Sequence, residues 1–143
     1  MTNIPTWVLF ALGSAFFAGL TTFFGKLGVH GINSNFATFI RTLVVLWAIG
    51  GLLTWRGEWQ RLSQLSVSTW GFLVISGITT GLSWLCYFRA LQLGPISGVA
   101  SLDKLSLAFA LLLGILFLGE PLRWQVMIGS ALIIAGSLIF LIP

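Results

Sequence analysis

Apolar residues form five long runs along the chain, separated by short segments that contain glycine, proline or polar side chains. Each run has about 20 residues, which is the length an α-helix needs to cross the hydrocarbon core of a bilayer. We therefore predict an all-α integral membrane fold of five transmembrane helices. With ends uncertain by about 2–4 residues, they are placed at residues 5–27, 35–55, 69–92, 96–118 and 122–142.

The segments between the runs hold the residues that end helices. Glycines are concentrated in residues 25–33, Gly94–Pro95 separates the third run from the fourth, and Gly119–Glu120–Pro121 separates the fourth from the fifth. Glycine and proline at these places predict turns between helices. In the longer connection, residues 56–65, three apolar side chains recur at three-residue spacing, which predicts a short helix lying at the membrane surface.

The amino-acid composition also indicates a protein that is surrounded by lipid. The chain is 57% hydrophobic and 7% charged, whereas an ordinary soluble domain carries about 25% charged residues. No stretch is polar enough for a separate soluble domain, so residues 1–143 are predicted to be one membrane domain. The seven basic residues are scattered singly, which excludes a nucleic-acid surface, and Cys86 stands alone, which excludes a disulfide framework or a cysteine-based zinc site.

An odd number of spans places the two termini on opposite faces of the membrane. Arg56, Arg61 and Arg123 then fall on the N-terminal face, and Lys26 and Arg89 fall on the C-terminal face. Orientation normally follows the excess of Lys and Arg in short loops. Three against two is almost no excess, so the sequence is compatible with insertion in either orientation.

Three charged residues lie deep inside predicted spans, more than five residues from either end. Asp103 and Lys104 are about eight residues into the fourth span, roughly 12 Å below its boundary at 1.5 Å per residue. Arg41 is about six residues into the second span, which starts from the same face. A charge near the bilayer centre costs about 2.5–3.5 kcal/mol, so it faces the bundle interior, paired or wet. We predict that Arg41 contacts Asp103, which is also the sole acid within a span and hence the candidate for coupled protonation.

Polar and aromatic side chains accompany these charges. Ser101 shares a helical row with Lys104, and Ser106 follows Asp103 on the neighbouring row. In the third span Tyr87 follows Trp84 by about one helical turn, so these two side chains are predicted to form an aromatic wall. The candidate substrate-binding residues are therefore Arg41, Trp84, Tyr87, Ser101, Asp103, Lys104 and Ser106.

These residues alone are also compatible with a function other than transport. An Arg–Asp pair that merely fixes helix register would suit a structural or accessory membrane subunit without transport activity of its own. An enzyme is not predicted, since the chain has neither an HExxH nor a GxSxG motif. His30 has no second histidine as a fellow ligand, so we predict no metal and no cofactor.

A resemblance to a known family rests on two stretches, residues 81–106 (GLSWLCYFRALQLGPISGVASLDKLS) and residues 111–122 (LLLGILFLGEPL). They contain an aromatic-Arg-Ala-Leu run, a glycine turn and a fourth helix that ends in Phe-Leu-Gly-Glu. In these features the whole chain resembles one five-helix unit of the EamA family in the drug/metabolite transporter superfamily. The resemblance implies a carrier of small polar metabolites that works by alternating access, here in a bacterial cytoplasmic membrane.

Most members of that family hold two five-helix units in opposite orientations within one chain, whereas this sequence has one. The resemblance therefore implies half of a ten-helix inverted-repeat fold, completed by an antiparallel homodimer or by a second, paired half-transporter. In either assembly the substrate site is expected near the membrane midplane, at the interface of the repeats.

Overall fold

The computed structural model describes residues 5–142, and every regular element in that range is helical. The elements are α1 (Thr6–Gly28), α2 (Ser34–Arg56), a 3₁₀ helix (Leu62–Gln64), α3 (Val67–Leu93), α4 (Ile96–Asp103), α5 (Ser106–Leu118) and α6 (Trp124–Ile139). Four stretches are long and apolar enough to cross a membrane, namely α1, α2, α3 and Ile96–Leu118, the last formed by α4 and α5 together. The prediction of an all-helical fold is confirmed.

The first three predicted spans agree with α1, α2 and α3 to within two residues at each end. The fifth predicted span is shorter than expected, because α6 has 16 residues. At 1.5 Å per residue such a helix is roughly 24 Å long, against a hydrocarbon core of about 30 Å. The count of five spans thus stays a prediction, as does the relation to an inverted-repeat fold. The surface helix predicted after α2 takes the form of the three-residue 3₁₀ helix.

The fourth predicted span has the expected extent, but it is not one continuous α-helix. Between α4 and α5 the backbone hydrogen bonds close over three residues, with the N–H of Lys104 on the carbonyl of Ser101 (3.1 Å) and the N–H of Leu105 on that of Leu102 (3.0 Å). Two further bonds of this kind follow, from Leu107 to Lys104 and from Ala108 to Leu105, each 3.0 Å. This is the tighter 3₁₀ pattern, which in mid-helix marks a hinge or a strained sequence.

Local sequence explains where α2 begins and ends. The side chain of Asn33 accepts hydrogen bonds from the backbone N–H groups of Asn35 (2.9 Å) and Phe36 (3.3 Å), which caps the first turn. Gly57 ends the helix in the left-handed region (φ 66°), and its N–H bonds the carbonyls of Leu53 and Thr54. Glycine suits this position because a side chain would be strained there.

The described residues divide into two compact units. The central unit is Gly25–Gln92, which contains the last turn of α1, α2, the 3₁₀ helix and α3 up to Gln92. The terminal unit holds the described residues up to Phe24 and those from Leu93 onward. Within the terminal unit, α6 packs against both α4 and α5.

Few side chains are buried in either unit. The buried apolar side chains of the central unit are Val29, Phe88 and Leu91. Its buried polar side chains are Ser34 and Thr38. Large apolar side chains are exposed along α1, α2, α3, α5 and α6. An outer surface of this composition suits lipid, because helices satisfy their own backbone groups and present only side chains to the hydrocarbon.

Candidate functional site

An intramembrane arginine lies against aromatic rings in the central unit. The guanidinium carbon Cζ of Arg41, on α2, is 4.3 Å from the centroid of the Trp84 ring and 5.0 Å from that of Phe88, both on α3. Within about 6 Å a guanidinium is attracted to the negative face of an aromatic ring. The fold therefore brings together two of the predicted site residues, Arg41 and Trp84, through a cation–π contact.

Phe88 is a member of this cluster that the sequence analysis missed. Its side chain is only 3% exposed, and it packs on Gly25, where an added Cβ would lie 3.2 Å from Cε1 and 3.3 Å from Cζ of the ring. The predicted wall paired Trp84 with Tyr87, whereas Phe88 is the residue four positions after Trp84. Residues four apart share a helix face, and that spacing was the signal available in the sequence.

Tyr87 lies at the edge of the same cluster. Its ring centroid is 6.2 Å from that of Phe88, with the two ring planes 74° apart. This edge-to-face arrangement is one that aromatic pairs favour. The half-buried Tyr87 is thus linked to Arg41 through the Phe88 ring.

A glutamine at the end of α3 fixes the turn between α1 and α2. The Nε2 group of Gln92 donates to the carbonyls of Val29 (3.2 Å) and Ile32 (2.7 Å). The Oε1 of the same side chain accepts from Nη1 of Arg89 at 2.7 Å. Because one amide group joins both the turn and a neighbouring arginine, it holds the end of the α1–α2 hairpin on α3.

Lys26 strengthens the same junction. Its Nζ donates to the backbone carbonyl of Leu91 in the last turn of α3. A cation is favoured at that end of a helix, where backbone carbonyls lack partners within the helix. Lys26 and Gln92 therefore both join the first hairpin to α3.

The other charged residues of the predicted site lie in the terminal unit, at the interruption between α4 and α5. Nζ of Lys104 is 4.0 Å from Oδ2 of Asp103, and the two side chains are 59% and 43% exposed. Ser101 is half-buried before the interruption and Ser106 is exposed after it. The 3₁₀ turns rotate the chain by about 120° per residue instead of 100°, so these residues do not lie on one continuous α-helix.

The predicted contact between Arg41 and Asp103 stays a prediction, because the two residues belong to different units. His30 is exposed in the α1–α2 turn. Within residues 5–142, no group of three His, Cys, Asp or Glu side chains is placed to hold a metal ion.

Comparison with known proteins gives two matches. The sequence profile described as the EamA-like transporter family matches residues 5–142. A protein of Sinorhizobium sp named "Uncharacterized transporter in cobO 3'region" is 50% identical over 134 residues, which cover 94% of this chain and 95% of that protein. No solved structure matches the chain. The two matches extend over both the central and the terminal unit.

Proposed function

The chain belongs to the EamA-like transporter family, and from this premise we propose that it carries a small polar metabolite across the membrane by alternating access. Membership, with four apolar helical stretches of spanning length, makes it an integral membrane protein. The family and the named relative point to a transporter rather than an enzyme. The proposed location is a bacterial cytoplasmic membrane.

The observation that carries this proposal is the interruption of the fourth span at Asp103–Lys104. Irregular backbone at membrane depth is tolerated where it is buried in protein or lines a water-filled cavity. Transporters place substrate and ion sites at such interrupted helices, where carbonyl and N–H groups become available. A pair of charged side chains at the interruption is best explained if water or cargo reaches it.

We propose as substrate contacts the candidate residues identified from the sequence. Arg41 supplies a fixed cation in the central unit, Trp84 and Tyr87 supply aromatic surface, and the terminal unit supplies hydroxyl and charged groups. Asp103 is the group we propose for coupled protonation. The full proposed set is Arg41, Trp84, Tyr87, Ser101, Asp103, Lys104 and Ser106.

Water access to the interruption tests the proposal. In a Cys86→Ala background, Ser101→Cys and Ser106→Cys are expected to react with a membrane-impermeant maleimide in intact cells or inverted vesicles. Leu113→Cys, on an exposed apolar position of α5, is the control that lipid should protect. If both serine positions are as unreactive as position 113 from either side of the membrane, a purely structural bundle explains the chain better.

We further propose that two copies associate in antiparallel orientation. The near balance of Lys and Arg between the two faces supports this assembly. So does the Sinorhizobium relative, because the chain spans 95% of that protein, which therefore holds one such unit. Two inverted copies would restore the repeat symmetry of the larger transporters.

Orientation is measured with a single reactive cysteine attached to either terminus, again in the Cys86→Ala background. We expect each terminus to be labelled from both faces of the membrane, in comparable fractions. A version with three added lysines in the 57–61 loop serves as the control, since it should fix one orientation. One fixed orientation of the starting protein would contradict the antiparallel dimer and favour a paired second half-transporter.

A further inference from the structure

We propose that Arg41 is the anion-binding group of the transporter, and that its cargo is an organic monoanion whose carboxylate binds the guanidinium. The inference rests on the proposed function and names the substrate class of that site. It depends on what surrounds Arg41 within the central unit.

Within the central unit, the contacts of Arg41 leave its hydrogen-bonding capacity unused. Trp84 and Phe88 lie 4.3 and 5.0 Å from its Cζ, and an aromatic face attracts the positive charge without providing an acceptor oxygen. A guanidinium has five N–H donors in a planar fork that matches the two oxygens of a carboxylate. The rings thus fix the position of the group and leave the fork for a ligand.

No acidic side chain of the central unit is near enough to neutralise this charge. Glu58 is the one acid in residues 25–92, and its Oε1 lies 3.8 Å from Nη1 of Arg56, at the far end of α2. Arg56 is fifteen residues beyond Arg41, or roughly 22 Å along the helix at 1.5 Å per residue. A half-buried cation without an acidic partner in its own unit favours binding of an external anion.

Neighbouring hydroxyl groups on α2 do not compete for the ligand. Oγ1 of Thr38 donates to the carbonyl of Ser34 (2.9 Å), and Oγ1 of Thr42 donates to the carbonyl of Thr38 (2.8 Å). Both hydroxyl protons are therefore held by the backbone of their own helix. Recognition of the anion falls to the guanidinium.

Charge matching favours a monoanion over a dianionic phosphate ester. The two other basic side chains near this end of α3 are engaged, Lys26 with the carbonyl of Leu91 and Arg89 with Gln92. One guanidinium balances one negative charge, and a phosphate dianion would retain an uncompensated charge in a partly buried place. A carboxylate is the planar monoanion that fits a single fork.

Ligand-induced stabilisation of the detergent-purified protein tests the site. The probes are gluconate, glucose and glucosamine, which share a carbon skeleton and differ in charge, and a second set of 3-phenylpropionate, 3-phenylpropanol and 3-phenylpropylamine. At least one carboxylate is expected to raise the melting temperature, and its neutral and cationic analogues are not. Arg41→Lys keeps the charge but loses the fork, and should weaken binding by about 10- to 100-fold. Arg41→Gln should abolish it.

Arg56→Gln is the matched control, because it removes the same charge from α2 outside the cluster; it should bind like the starting protein. Equal stabilisation of the starting protein and Arg41→Lys by a carboxylate, or stabilisation by the amines alone, would overturn the inference. So would the absence of stabilisation by either carboxylate.

Uptake into proteoliposomes separates this inference from the proposed function. Binding of a carboxylate that depends on Arg41, with no uptake of any probe, would contradict transport and leave the anion site in place. Saturable uptake of glucose or glucosamine that is insensitive to Arg41→Lys would support transport and overturn the anion site. We expect saturable gluconate uptake that falls at least about tenfold in Arg41→Lys.

Discussion

Replacing Gly25 with leucine should destabilise the protein more than any other single glycine substitution in α1. A Cβ at position 25 would lie 3.2 and 3.3 Å from the ring of Phe88, and 3.6 Å from Cδ1 of Leu91. Both neighbours are buried and cannot swing into solvent. Inserting a bulky side chain into such a contact costs about 1–3 kcal/mol or more, because the helices must separate. Unfolding of the purified protein in detergent, followed by circular dichroism, measures the loss.

Gly28→Leu provides the comparison for this prediction. It lies in the same last turn of α1, and a Cβ there meets nothing within 4 Å. Leucine has a better helix propensity than glycine by roughly 1 kcal/mol or less, so the control should be neutral or slightly stabilising. Equal stabilities of the two variants would show that α1 does not pack on α3 in this way.

Gly25→Leu also carries a consequence for the proposed anion site. The Phe88 ring lies between position 25 and the guanidinium of Arg41, with 5.0 Å from its centroid to Cζ. Displacing this ring removes one of the two surfaces that hold the guanidinium. Carboxylate binding by the variant should therefore be weakened even at temperatures where it stays folded.

The sequence predicts the helices well because their length and apolar character arise from the bilayer itself. A span of about 20 apolar residues is read directly from the chain, and α1, α2 and α3 agree with that reading. The last helix is a different case. Apolar residues continue to Ile142, but the helix ends at Ile139. Hydropathy could not predict this end, because it shows what lipid accepts and does not show where backbone hydrogen bonding stops.

Hydropathy alone could not predict the interruption between α4 and α5. Ser101, Asp103 and Ser106 are residues whose short polar side chains compete for backbone hydrogen bonds. That preference weakens a helix without specifying which turn will tighten. The charges can be recognised in the sequence by their cost in lipid, whereas the change of hydrogen bonding at the same residues is visible only in the fold.

Contacts between distant residues explain the other omissions at the site. Gln92 bonds carbonyls 60 and 63 residues earlier in the chain, and no local pattern indicates such a partner. Lys26 lies near the end of an apolar span, yet its Nζ donates to a backbone carbonyl at the end of α3. Arg41 and Trp84 were selected one by one for their chemistry, and the contact between them depends on the pairing of α2 with α3.

The pair Asp103–Lys104 offers the largest expected effect on transport. In Asp103→Asn, Lys104 keeps its charge without the carboxylate that now lies 4.0 Å away. An uncompensated charge at this depth costs about 2.5–3.5 kcal/mol on insertion scales, so the yield of folded protein should fall together with uptake. This single variant does not separate a structural pair from a transport site, since both interpretations expect a loss.

The double variant Asp103→Asn, Lys104→Gln distinguishes a structural pair from a transport site, because it removes both charges and nearly preserves the shape of the side chains. Folded yield and thermal stability should recover to the level of the starting protein, as replacing a paired group by neutral partners is often neutral. Uptake of gluconate into proteoliposomes, driven by a proton gradient, should still be reduced at least about tenfold, equivalent to 1.4 kcal/mol. Gln125→Asn together with Ser130→Ala on α6 controls for polar substitution elsewhere. A double variant with full uptake would mean that the charges only stabilise the interrupted helix, and that water or cargo has no part in keeping them there.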